Sequence, residues 1–193
     1  MIQADLLAAV SPVVDALERL GVAYSVVGSI ASSAHGIARA SIDADLVADL
    51  HTPHIDPFVR LLEQDYYVER EAVLSAVERR SQFNVVHLAT MLKVDLYMLT
   101  ERAFDRESFD RRQPGALDPE AARLYRIATA EDTALHKLEW YRDGGEVSDR
   151  QWSDVVGILK VQDDDLDLKY MRRVAATLGI EDLLARALED ARA

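Results

Sequence analysis

Asp43 and Asp45 stand two residues apart inside a run that alternates from Ile42 to Ala48. Ile42, Ala44, Leu46 and Ala48 share one side, and Asp43, Asp45 and Val47 share the other. A period of two is the signature of a β-strand, whose successive side chains leave opposite faces. The run therefore predicts a sheet with one face packed on an apolar layer and two carboxylates on the other, ~7 Å apart at their backbones. Two like charges held so close repel, and their pKa values rise unless a cation sits between them. Hard oxygen donors of this kind suit Mg²⁺ or Mn²⁺.

The segments on either side extend that sheet. Leu6, Leu7, Val10, Val13, Val14, Leu17 and Leu20 fall at helical spacing, and Gly21 ends the helix. Val22–Val27 is a short β-rich run closed by Gly28-Ser29, and the stretch from Ile30 to His35 is small and helix-compatible. Helices are expected from Pro53 to about Gln64 and from Glu71 to Arg79, with a weaker strand at Tyr66–Glu69. Phe83–Leu88 and Leu92–Leu99 read as strands joined in a hairpin over Ala89–Met91. Arg106–Pro119 reads as a loop, and Arg123–Ile127 as a short strand. The remainder is helical, with Thr129/Asp132 and Ser148/Gln151 as start signals and further helices over Asp167–Leu178 and Glu181–Ala191. The fold expected is α+β, a small mixed sheet flanked by helices, with a C-terminal helical bundle. The division expected is an α/β core over 1–105 and a mainly helical part over 106–193 packing on it.

Three further features stand beside the paired acids. Asp95 lies in a strand whose other face is Leu92, Val94, Leu96 and Met98. If that strand pairs beside Ile42–Ala48, Asp95 joins the same polar patch, and three carboxylates can hold two metal ions for phosphoryl chemistry. Gly28-Ser29, between a strand and a helix, would expose backbone N–H groups to a phosphate, and glycine avoids a Cβ clash there. Arg39, just before the acidic strand, could neutralise a triphosphate.

Composition narrows the partners. Lys and Arg number 22 against 34 Asp and Glu, a formal charge of −12, so a uniformly basic nucleic-acid binder is disfavoured. The absence of cysteine excludes a disulfide scaffold, a thiolate zinc site and a cysteine nucleophile. The opening helix is broken by Asp5, Asp15, Glu18 and Arg19, which fits neither a signal peptide nor a membrane span. A cytoplasmic protein with no membrane partner is the expectation.

Gly28-Ser29, the Arg39/Ser41 lead-in, Asp43-Ala44-Asp45 and the later Asp95 resemble the pattern of the DNA polymerase β-like nucleotidyltransferase superfamily. Ser41 stands where that family usually has Thr. The resemblance implies two divalent metal ions, Mg²⁺ or Mn²⁺, held by Asp43, Asp45 and Asp95, and a nucleoside triphosphate whose monophosphate is moved to an acceptor. Asp95 would activate the acceptor hydroxyl, while Gly28, Ser29, Arg39 and Ser41 would hold the nucleotide. The tail from Glu131 through Lys137 and Trp140 to Asp154 looks like the abortive-infection AbiEii-type toxin group. That likeness implies that Lys137 contacts a phosphate and Asp154 helps hold the nucleotide or the lysine. The motif does not specify the acceptor and leaves RNA, protein and a small molecule open; an RNA or protein acceptor and a cognate toxin or antitoxin partner are the expectation. The plain alternative for Lys137 and Asp154 is a surface ion pair. The alternative for the whole chain is a degenerate module that binds nucleotide or a partner without turnover.

Other features carry less. No pair among His35, His51, His54, His87 and His136 has a zinc-binding spacing, and no P-loop or dinucleotide-binding motif occurs. Trp140 and Trp152 read as core anchors, and Arg79-Arg80 and Arg111-Arg112 as solvated surface.

Overall fold

The computed structural model describes residues 4–38, 41, 43–118 and 123–192. The strands in chain order are β1 (Tyr24–Val27), β2 (Asp43–Ala48), β3 (Tyr66–Tyr67), β4 (Gln82–His87), β5 (Lys93–Met98), β6 (Gln113–Ala116) and β7 (Leu124–Ile127). They form one mixed sheet in the order β3-β4-β5-β2-β1-β7-β6. β2 runs antiparallel to β1 and parallel to β5, and β7 runs parallel to β1. The α+β architecture expected from the alternating and helical patterns is the one observed.

The helices are α1 (Ala4–Arg19), α2 (Gly28–His35), α3 (Ile55–Leu62), α4 (Arg70–Arg79), α5 (Ala103–Arg111), α6 (Ala130–Asp143), α7 (Asp149–Gln162), α8 (Leu168–Leu178) and α9 (Glu181–Arg192). The apolar side of the acidic strand (Ala44, Leu46, Ala48) joins Tyr24, Val26, Val94, Leu96 and Met98 in one core with α1, α3 and α4. Burying that face removes the alternating apolar residues from water and leaves the opposite face, with its acids, to the other side. A second core forms among α6, α7, α8 and α9, with Phe104 of α5 inserted.

Both expected start signals cap their helices. Thr129 Oγ1 accepts the Asp132 N–H at 3.2 Å, and Ser148 Oγ accepts the Gln151 N–H at 3.3 Å. Each satisfies a donor that the first helical turn would otherwise leave unpaired.

Of the stretch expected as a loop from Arg106 to Pro119, residues 106–116 are instead most of α5 followed by β6, and Pro119 lies outside the described residues. Phe104, Ser108 and Phe109 are buried at helical spacing, a short stripe that the surrounding charges mask in sequence. β6 is an edge strand, where Pro114 lacks a backbone donor without interrupting a central ladder. The expected boundary between 105 and 106 runs through α5. On its C-terminal side β6 and β7 belong to the sheet, and Leu117, Tyr125 and Ile127 belong to the first core. The weaker strand at 66–69 shortens to Tyr66–Tyr67.

α2 joins the two cores. A Cβ on Gly36, just past its end, would lie 2.8 Å from the backbone nitrogen of Ile158, so only glycine lets α7 come this close. His35 Nε2 meets the Ala128 carbonyl oxygen at 2.6 Å, and Gln162 Nε2 donates to the His35 carbonyl at 2.7 Å. Among the described residues no helix is long and apolar enough to cross a membrane.

Candidate active site

Strand direction brings the acids together. β1 ends where β2 and β5 begin, and parallel register sets Asp45 opposite Asp95 and Asp43 opposite Lys93. Across the other ladder Val27 faces Asp45, and the chain leaves β1 directly into α2. Asp43, Asp45 and Asp95 therefore leave one face of the sheet at one end, beside the start of α2, as expected if the two acidic strands pair. Arg39, expected to face a triphosphate, lies outside the described residues, as does Ile42 of the alternating run.

Each carboxylate has a different setting. Asp45 packs against Gly28, where a Cβ would come within 2.7 Å of its Cγ, and Gly28 holds φ +62. Both the space and the left-handed backbone demand glycine at that position. Asp45 accepts the Ser29 backbone N–H. Its pKa is pushed up to about 6, first by burial and then by the negative charges of Asp43 and Asp95. The Ser29 N–H and the Lys137 ammonium oppose that rise. Asp43 Oδ1 accepts from Ser41 Oγ at 3.2 Å, and Ser41 Oγ lies 2.6 Å from Ser29 Oγ. The two serines thus tie the start of α2 to the acidic strand. Asp95 Oδ2 is held by Lys93 Nζ at 2.7 Å.

A cavity of about 680 Å³ covers the open face of the sheet beside these groups. Val27, Asp45, Val47 and Tyr97 form the sheet side, and Phe109, His136, Lys137 and Trp140 the helical side. That volume is in the range of small-molecule and cofactor sites. Lys137 Nζ donates to Asp154 Oδ2 at 2.9 Å and to Gln151 Oε1 at 3.1 Å. The pair is buried, with side chains 4% and 6% exposed, so the surface ion pair is not what the fold builds. A buried cation of this kind needs the partners it has, because an unpaired charge away from water is costly.

Several side chains stand elsewhere than expected. Trp140 is 41% exposed and lines the cavity, whereas Trp152 packs beside Tyr141 with ring centroids 5.2 Å apart. Trp140 lies on the turn of α6 that passes the open face of the sheet. Arg111 is no solvated charge: it meets Asp132 Oδ2 at 3.0 Å and stacks on the Tyr170 ring at 3.8 Å. Arg80 lines the cavity. Lys93 and Tyr97 carry no role in the sequence reading, and Gln151 only that of a helix start signal. The one local signal was Lys93 two residues before Asp95 on the same face of a strand.

Asp43, Asp45 and Asp95 are neighbouring oxygen donors for a divalent ion. Among the described residues no three His, Cys, Asp or Glu side chains converge as a ready metal cage. Mg²⁺ seldom needs one, since one or two carboxylates with substrate phosphates and water commonly complete its octahedron. Asp43 and Asp45 fit that role: both are hard donors on one face, and Asp45 is buried beside two like charges that a cation would offset. Asp95 already has a cation beside it.

Sheet order, the Gly-Ser turn into α2 and the helical second core together define a nucleotidyltransferase-like fold. The chain superposes on the antibiotic-resistance factor ANT(2'')-Ia in solution with a TM-score of 0.58 at 11% identity, covering 89% of this chain and 91% of that one. ANT(2'')-Ia in complex with adenylyl-2''-tobramycin gives a TM-score of 0.55 at 11% identity, covering 90% and 96%. An antigenic nucleotidyltransferase-like protein from Paracoccidioides brasiliensis gives 0.53 at 14% identity, covering 98% and 94%. No family model matches the chain, and no curated protein matches it in sequence.

Proposed function

We propose that the chain is a divalent-metal-dependent nucleotidyltransferase that moves a nucleoside monophosphate from a nucleoside triphosphate to an acceptor hydroxyl. The observation that carries this reading is the meeting of Asp43, Asp45 and Asp95 on one sheet face, beside the start of α2 and a cavity lined by Lys137. The nucleotidyltransferase-like fold supports it.

In this reading Asp43 and Asp45 hold Mg²⁺ or Mn²⁺, which supplies charge neutralisation to the phosphates. The backbone at Gly28 and Ser29 receives triphosphate oxygens, with Ser41 holding the turn through Ser29. Arg39 and Lys137 add positive charge, and Asp154 fixes the lysine. Asp95 accepts the proton of the acceptor hydroxyl as its oxygen attacks the α-phosphorus. The bond from that phosphorus to the bridging oxygen breaks, and pyrophosphate leaves. The rate then comes from positioning and charge, with no covalent enzyme intermediate.

The acceptor assigned by this reading is an RNA or protein hydroxyl, with a cognate toxin or antitoxin protein as partner. A small hydroxylated acceptor is the second reading, favoured by the cavity, which α5 and α6 roof over the sheet. ANT(2'')-Ia, of like fold, is seen with adenylyl-2''-tobramycin.

The test offers each α-phosphate-labelled triphosphate with Mg²⁺ or Mn²⁺, and tRNA, cell-extract protein or a pool of small hydroxylated compounds as acceptor. Label should enter one acceptor class with the intact chain and none with the Asp43→Ala/Asp45→Ala variant. Metal-dependent nucleotide binding without transfer into any class would favour a binding module instead.

A further inference from the structure

We propose that Lys93 is a built-in cation of the acidic cluster, filling the Asp95 corner so that the site takes one divalent ion, at Asp43 and Asp45, rather than two. The inference rests on the metal-dependent reading above and goes beyond it in assigning Lys93 and the metal count.

The geometry is a two-by-two arrangement on adjacent parallel strands. Asp43 stands opposite Lys93 and Asp45 opposite Asp95, so all four side chains leave the same face. Lys93 Nζ sits 2.7 Å from Asp95 Oδ2, the length of a charge-assisted hydrogen bond. Lys93 is 44% exposed while Asp95 is 12% exposed, so the ammonium lies on the solvent side of the carboxylate. An ion binding Asp95 through Oδ2 would have to displace it.

Charge agrees with position. Three carboxylates and one ammonium leave a formal charge of −2, which one divalent ion cancels. Asp95, held by Lys93 rather than by a second ion, keeps an orientation suited to taking the acceptor proton.

The experiment counts Mn²⁺ bound to the full chain saturated with a non-hydrolysable nucleoside triphosphate analogue, by electron paramagnetic resonance. The intact chain should bind one ion per molecule with no spin-coupled pair, and Lys93→Arg should do the same. Lys93→Met should bind two and show the coupled signal. Circular dichroism checks that each variant is folded, and the count on the intact chain needs no variant. A coupled pair in the intact chain would overturn the role of Lys93 and leave the nucleotidyltransferase reading standing. A single ion in folded Lys93→Met would overturn it likewise. If no chain bound either Mn²⁺ or the analogue, the metal-dependent reading would fall and this inference with it.

Discussion

Asp45 is the residue on which fold and function pull against each other. Its carboxylate is pressed between Gly28 and two like charges, with a pKa of about 6 against a reference of 3.8. The folded chain thus holds the proton more tightly than the unfolded one. The stabilising effect of that proton is complete below pH 3.8 and lost as pH rises through about 6. At pH 8 the metal-free protein carries the penalty in full. Asp45→Asn removes it, and scanning calorimetry without metal should find the variant's midpoint higher by roughly 2–4 °C at pH 8. The difference should shrink toward pH 4 and the variant should lose Mn²⁺-dependent nucleotide binding. A lower midpoint for Asp45→Asn at pH 8 would mean that Asp45 is not short of a cation. At this scale the acids were legible, because a period of two fixes which side chains share a face. Lys93 was not, because its meaning depends on the strand that Asp43 occupies beside it.

Among the elements, α5 is held to the helical core by Asp132. That side chain is fully buried on α6, meets Arg111 of α5 at 3.0 Å, and accepts hydrogen bonds from Thr129 Oγ1 and the Tyr170 hydroxyl of α8. Asp132→Ala leaves two hydroxyls without their acceptor and Arg111 with only Glu131 at 3.4 Å, so denaturant unfolding should show a loss of about 3 kcal/mol. Asp132→Asn, which keeps an acceptor, should lose less. Equal losses would place the worth of Asp132 in its packing rather than its charge. The long amphipathic helices and their caps could be read from sequence, since Thr129 and Ser148 precede periodic apolar runs. α5 could not, because its apolar stripe is three residues deep and set among charges. β6 contains both Pro114 and Gly115 and takes strand form only through pairing with β7.

For the molecule as a whole, the sequence pattern specifies a sheet and a helical bundle but not their arrangement. Strand order needs contacts across long separations, such as Val26 beside Ile127 and Asp45 beside Asp95. Only that order brings Gly28, Asp45 and a distant lysine to one cavity, with Asp43 and Asp95 on the same sheet face beside Asp45. Lys137, far along the chain on α6, comes to the cavity because α2 packs on both α6 and α7, with Gly36 pressed against α7. A formal charge of −12 disfavours recognition of a polyanionic acceptor by the general surface.

Nucleotidyl transfer is defined by which bond of the triphosphate breaks, and one paired measurement reads it. The intact chain is given Mg²⁺, an acceptor and a triphosphate labelled either at the α- or at the γ-phosphorus. Nucleotidyl transfer puts the α-label on the acceptor and the γ-label in free pyrophosphate. A γ-label on the acceptor, or γ-label released as orthophosphate with the α-label left in nucleoside diphosphate, would contradict it.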